Sequence, residues 1–153
     1  MSPRKKVLYL DVCALCRPFD DQSQMKIKLE TDSIFLILEK IKAGKFKMLF
    51  SKIHNLEIKD IQEKEEREEL LQFLEKYGNE EKNINQEKIK NRILEFEKMG
   101  FGIGDSAHLA FAENNTDYFI SVDSNLLKKY NKKVKGKMLA LKPEDFIVRE
   151  GIL

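Results

Sequence analysis

The sequence predicts an α/β fold with helices on both faces of a mainly parallel sheet. Three features lead there. Short apolar runs of strand length alternate with longer stretches of helical spacing. Capping residues or glycines stand at most of the junctions. Acids follow directly on two of the apolar runs. Strands separated by helices pair in parallel, because a parallel connection needs a crossover of a dozen or more residues.

Val7–Leu10 is apolar, β-branched and aromatic in character, and its short length favours a strand over a helix fragment. Pro18 and Asp20–Asp21 mark a loop. From Met25 to Ala43, Ile27, Ile34, Leu38 and Ile41 recur seven, four and three residues apart, the stripe of a helix, and Gly44 is placed to cap it. Phe46–Phe50 reads as a second strand. Ser51 offers an N-cap to the segment that carries Ile53, Leu56, Glu57 and Ile58. Glu65–Tyr77 reads as a helix with Leu70, Leu71, Phe73 and Leu74 on its apolar side, ended by Gly78–Asn79.

Asn85 is placed to cap a helix over Gln86–Lys98, with Ile89, Ile93 and Phe96 inward. The glycines between Met99 and Gly104 require a turn, and Ser106–Glu113 follows as a helix of small residues suited to close packing on a sheet. Tyr118–Val122 reads as a third strand that ends at Asp123. Asn125–Tyr130 is a short helix, and Lys137–Leu141 a fourth strand. Pro143 opens a short C-terminal turn.

The 153 residues fit one domain, residues 1–153. At 42% hydrophobic and 35% charged, the composition is that of a soluble globular chain. No run approaches the ~18 apolar residues of a membrane helix. The apolar run behind Arg4, Lys5 and Lys6 ends at Asp11, too soon for a secretory signal. The expected location is the cytoplasm, with no membrane partner. There Cys13 and Cys16 are expected to be free thiols. The net charge of +2 says little about partners, but its distribution says more. Residues 63–69 are acidic. Residues 128–137 are strongly basic, and Lys128, Lys129, Lys132 and Lys133 are candidates to hold a nucleic-acid backbone.

In open parallel sheets, functional groups gather beyond the carboxyl ends of the strands. Asp11 follows the first strand and Asp123 the third. Glu57 follows the second strand on a short helix, and Asp105 opens a helix after the glycine-rich turn. Carboxylates held together raise one another's proton affinity, and a divalent cation removes that cost. Mg²⁺ accepts a few carboxylates together with waters, and such a site suits phosphodiester hydrolysis. The competing account is structural. Asp105 and Asp123 are also good helix caps, and Glu57 is also an ordinary surface acid.

At these residues the chain resembles the PIN-domain family. Leu10-Asp11-Val12-Cys13-Ala14-Leu15 with Arg17-Pro18-Phe19-Asp20 is similar to the family's first motif. Ser51–Glu57 is similar to the second, Gly104–Ala110 to the third, and Tyr118–Leu127 to the fourth. The resemblance implies a PIN-like three-layer sandwich with the first strand central. It implies an Mg²⁺- or Mn²⁺-dependent endoribonuclease with Asp11, Glu57, Asp105 and Asp123 as metal-binding and catalytic residues. It also implies an RNA substrate, with a homodimer and a toxin's antitoxin among the partners found in the family. Two positions depart from the family pattern. Cys13 stands where a hydroxyl or small polar residue often appears, and His108 where an apolar residue is usual.

The alternative is a non-catalytic nucleic-acid-binding or protein-interaction domain of the same fold, which needs no divalent ion. Cys13 and Cys16 have the spacing of a redox dithiol, but Asp11 beside them disfavours a thiolate. They lack the second pair of a zinc site, since His54 and His108 are the only imidazoles. Both histidines are candidates for a base or an extra ligand, set against structural roles. Asp117 precedes the third strand and so belongs at the opposite end of the sheet.

Overall fold

A computed structural model describes residues 4–82 and 84–152. Five strands among them form one parallel sheet: β1 (Val7–Leu10), β2 (Lys47–Phe50), β3 (Gly78–Glu80), β4 (Tyr118–Ile120) and β5 (Leu139–Leu141). Their order is β3-β2-β1-β4-β5, and every neighbouring pair is parallel. β1 is the central strand.

Side chains of successive strand residues point to opposite faces, and the two cores follow that alternation. Leu8 and Leu10 of β1, Met48 of β2 and Tyr118 and Ile120 of β4 enter one core. They meet α1 (Val12–Cys16), α2 (Met25–Lys42), α4 (Lys64–Tyr77) and α8 (Pro143–Glu150) there. Tyr9, Leu49, Phe119 and Ala140 enter the other core, against α5 (Gln86–Lys98), α6 (Ile103–Ala112) and α7 (Ser124–Lys133). The result is three layers, helix–sheet–helix, as the alternation of elements implies. α3 (Lys52–Lys59) leaves β2 at the carboxyl edge, with Ser51 as its N-cap and Ile58 in the first core.

The amino edge is closed by polar groups. Asp117 accepts the Val7 N–H at 2.8 Å and pairs with Arg4 at 2.9 Å, which puts it at the end of the sheet away from Asp11. Glu150 pairs with Lys6 at 2.9 Å.

The sequence pattern and the structure part at several places: no pattern marks α1, and α6 begins at Ile103 with Gly102 rather than Asp105 as its N-cap. Gly78–Asn79, expected only to end a helix, begins the edge strand β3. This strand is held by backbone pairing to Met48–Phe50 and needs no apolar pattern. It does need its glycine: a Cβ at Gly78 would lie 2.7 Å from both the Leu74 carbonyl and the Phe50 ring. The strand through Tyr118 stops at Ile120, so Asp123 stands three residues beyond it. The Asp11 N–H takes the Ile120 carbonyl at 3.2 Å, completing the pairing of the two strands. Finally, the C-terminal turn is the eight-residue helix α8. Phe146 and Ile147 bury it, and Gly151 ends it in the left-handed region at φ 63°.

Candidate active site at the carboxyl edge

Asp11 and Asp123 serve neighbouring strands in the same way. Each leaves its strand, turns the chain and caps the helix that follows. Asp11 Oδ1 accepts the Ala14 N–H at 2.9 Å and Asp123 Oδ1 accepts the Leu126 N–H at 3.1 Å. The structural role foreseen for Asp123 is therefore real, and Asp11 shares it. Neither cap uses the second carboxylate oxygen.

Asp105 is half-buried in the first turn of α6, where the positive end of the helix favours an acid. Glu57, on α3, reaches the same turn. A Cβ placed on Gly104 would meet Glu57 Oε2 at 3.0 Å, so the acid on α3 lies over the residue beside Asp105.

The four acids influence one another. Asp11 is buried, with 4% of its surface exposed, and its carboxyl is pushed up to about 6. Burial is the main cause and Asp105 adds to it. Hydrogen bonds from Ser121 and the Ala14 N–H, and the nearby His108, act the other way. The Asp105 carboxyl is raised by burial, then by Asp123 and Glu57, with His108 and Lys129 opposing. The thiol of Cys13 is pushed up to about 12 by burial and by Asp11, Asp105, Asp123 and Glu57. A groove of about 700 Å³ opens over this edge, lined by Cys13, Cys16, Arg17, Asp20, Glu57 and Asp123 among others. Arg17 is tied to Asp20 at 2.9 Å and to the buried Glu30 at 3.1 Å.

Among the described residues, no group of three or more His, Cys, Asp or Glu side chains is set as a metal cage. Several of the carboxylate oxygens are already engaged. Asp11 and Asp123 each commit one oxygen to a helix cap, and Glu57 Oε1 is bonded to His108 Nε2 at 2.5 Å. The donors that remain are all carboxylate oxygens, one each on Asp11, Asp123 and Glu57 and both on Asp105. Such a set fits a hard divalent cation that keeps several waters better than zinc, which favours sulfur and nitrogen.

His54 and His108 have different roles. His54 is buried, with Nδ1 accepting the Ser51 N–H at 3.1 Å and Nε2 bonded to the Leu10 carbonyl at 2.7 Å. Both nitrogens are used to join α3 to β1. His108 lies between Tyr9 and Glu57. Its Nδ1 is 2.6 Å from Tyr9 Oη, and Tyr9 Oη is 2.8 Å from Ser51 Oγ. Sequence reasoning missed Tyr9, Ser51 as its partner, and Ser121. Ser121 is buried, accepts the Asp123 N–H at 3.0 Å, and helps to lower the Asp11 carboxyl. Its only signal was a hydroxyl just past an apolar strand and two residues before an acid.

The surroundings of the cysteines disfavour redox chemistry. Both are free, Cys13 exposed and Cys16 partly buried, and both thiols are pushed up to about 12 by partial desolvation together with the neighbouring acids. A raised thiol has little thiolate and is a poor nucleophile. The double replacement Cys13→Ser with Cys16→Ser is expected to leave divalent-ion binding and any cleavage within about threefold, against the ~10²-fold or greater effect of losing a catalytic group. Abolished cleavage in a folded, ion-binding double variant would show that a thiol takes part.

The lysines of α7 divide into two stripes. Lys129 Nζ donates to the Gly100 carbonyl at 2.7 Å and Lys133 Nζ to the Met99 carbonyl at 2.6 Å, so both satisfy carbonyls at the C-terminus of α5. The charge of Lys129 also helps to lower the Asp105 carboxyl. Lys128 and Lys132 are exposed. Replacing all four with Gln is expected to weaken RNA binding and flatten its salt dependence by ~0.7 for each phosphate no longer neutralised, with ion binding unchanged. Only the pair Lys129 and Lys133 should also lower the melting temperature. Salt-insensitive binding that ignores all four changes would make the run a solvated surface.

No family model matches the chain, and no curated protein matches it.

Proposed function

We propose that this chain is a PIN-like, Mg²⁺- or Mn²⁺-dependent endoribonuclease that hydrolyses phosphodiester bonds at the carboxyl edge of its sheet. The observation that carries this reading is the pairing of Asp11 and Asp123 beyond adjacent parallel strands, with Glu57 laid over Gly104 beside Asp105. Acids from four separated segments lie toward the edge where an α/β sheet builds its sites, which supports this reading. Helix capping alone accounts for Asp11 and Asp123, but not for the approach of Glu57 and Asp105 to them.

In this reading Asp11, Asp105 and Asp123 hold the cation through their uncommitted oxygens, directly or through water, and Glu57 completes the pocket. A bound Mg²⁺ or Mn²⁺ supplies positive charge for the phosphoryl oxygens and a more acidic water. Ser121 fixes the start of the Asp123 turn by accepting its N–H. Lys128 and Lys132, exposed on α7, are the candidates to hold the substrate backbone.

The test has two stages. Calorimetry with Mn²⁺ measures ion binding, and a panel of single-stranded and structured RNAs then measures cleavage with Mn²⁺ and with excess chelator. Cleavage that needs the ion supports the reading. Cleavage that persists in chelator overturns the metal mechanism. RNA binding without ion binding or cleavage would identify a non-catalytic domain of the same fold.

A further inference from the structure

We infer that His108 is a positioning residue of this site: backed by Tyr9 and Ser51, it holds Glu57 by Oε1 and leaves Oε2 facing Gly104, the residue before Asp105. The inference rests on the carboxylate reading for its use, but its geometry is independent of any bound ion.

Glu57 sits on a surface helix with 39% of its side chain exposed. A glutamate there has three side-chain torsions and ordinarily samples many rotamers, at an entropic cost to any fixed use. Here it is bonded at 2.5 Å to a ring that cannot turn. His108 is 3% exposed, and the Tyr9 and Ser51 behind it are fully buried. The His108 ring packs edge-on at 4.9 Å from His54 and 5.6 Å from Tyr9, both at 73°. His54 is itself fixed by Ser51 and Leu10.

The direction of the bonds follows from the atoms. Ser51 Oγ accepts the Ile53 N–H at 3.3 Å as helix cap, which leaves its hydrogen for Tyr9 Oη. The Tyr9 O–H then donates to His108 Nδ1, and the ring carries its hydrogen on Nε2, donating to Glu57 Oε1. A fully protonated ring also carries that Nε2 hydrogen, with Tyr9 turned to donate to Ser51. The contact with Glu57 is thus a donation from Nε2 in either state. A neutral ring with its hydrogen on Nδ1 would set a lone pair against an ionised carboxylate.

The second oxygen is placed by the same bond. Oε2 lies where a side chain at residue 104 would begin, 3.0 Å from an ideal Cβ. A side chain at this position would crowd the carboxylate at the start of α6. Hydrogen-bonded supports of this kind, one shell behind the reacting groups, typically change metal affinity or activity ~10–100-fold when removed.

Three variants test the inference. His108→Leu removes the donor and keeps the volume apolar. His108→Gln keeps a donor near the Nε2 position, and Tyr9→Phe removes only the support behind the ring. Thermal unfolding first confirms that each is folded. In the metal-free wild type, ¹⁵N spectra should place a proton on His108 Nε2, and ¹³C relaxation should show a rigid Glu57 carboxyl. That carboxyl should become mobile in His108→Leu and be restored in His108→Gln. Mn²⁺ affinity and kcat should fall ~10–100-fold in His108→Leu with KM little changed, partly in Tyr9→Phe, and least in His108→Gln. An unprotonated Nε2, an equally rigid Glu57 in folded His108→Leu, or a Gln variant no better than Leu overturns the positioning role. If the wild type neither binds Mn²⁺ nor cleaves RNA, the nuclease reading fails, while the metal-free measurements still decide whether His108 holds Glu57.

Discussion

Asp11→Asn is expected to reduce RNA cleavage by at least about 10²-fold, or ~3 kcal/mol of transition-state stabilisation, and to weaken Mn²⁺ binding. Asparagine is the informative replacement because it isolates the charge. Its Oδ1 can still accept the Ala14 N–H that Asp11 takes at 2.9 Å, so the cap on α1 survives. Asp105→Asn should lower cleavage comparably. Without metal, Asp11→Asn should be as stable as the wild type or more so. Burial and Asp105 raise the Asp11 carboxyl to about 6, so keeping it ionised in the fold costs stability. That cost begins as pH rises past the unfolded value near 4 and is complete above about 6. The variant should therefore gain on the order of 1–3 kcal/mol at pH 7 and nothing below about pH 4. Thermal melts across this range, with chelator present, measure the gain. Full cleavage by Asp11→Asn would refute the catalytic assignment, and a pH-independent loss of stability would show that the carboxylate serves only the cap.

The fold was legible where side chains carry it. Val7–Leu10, the stripe over Met25–Lys42 and the Asn85-capped helix α5 follow from apolar spacing and caps, and each stands where its pattern puts it. Gly78–Glu80 was not legible. Its three residues are held to β2 through backbone groups, which leave no apolar trace in the sequence. In α8, Phe146 and Ile147 give too short a pattern to separate a helix from a turn without the packing of α2 against them. The place of Asp11 was legible because a strand followed by Asp puts that Asp at a known edge. The supports of the acids were not. Tyr9 meets Ser51 42 positions away and His108 99 positions away, and no local pattern encodes such contacts. The basic run shows the same limit from the other side. Composition marks four lysines as alike, while the fold commits Lys129 and Lys133 to the end of α5.

His54→Leu is expected to lower the melting temperature by on the order of 10 °C at pH 7, at ~2–4 °C per kcal/mol for a chain of this size. Leucine fills much of the space but pairs with nothing polar. It leaves the Ser51 N–H and the Leu10 carbonyl, bonded at 3.1 and 2.7 Å in the wild type, without their partner in the core. Each buried group so stranded costs ~1–3 kcal/mol. The loss falls at the junction of β1 and α3, next to Asp11 and just before Glu57, so the site should loosen with it. The pH dependence distinguishes this account from simple repacking. Burial is the main reason that the His54 imidazole is lowered to about 3, and His108 adds to it. The Ser51 N–H directed at Nδ1 also leaves no place there for a second proton. A depressed value means that the unfolded chain takes up a proton before the folded one does. The stability contributed by His54 is thus complete above about pH 6.5 and declines as pH falls toward 3, by ~1 kcal/mol per unit. Asp11 titrates with the opposite sign over part of this range, so the useful quantity is the difference between wild type and variant. That difference should narrow steadily from pH 7 to pH 4 in urea-unfolding measurements. A gap that stays constant across those pH values would mean that His54 contributes packing alone, and a variant as stable as the wild type at pH 7 would mean that its two hydrogen bonds are replaced by water.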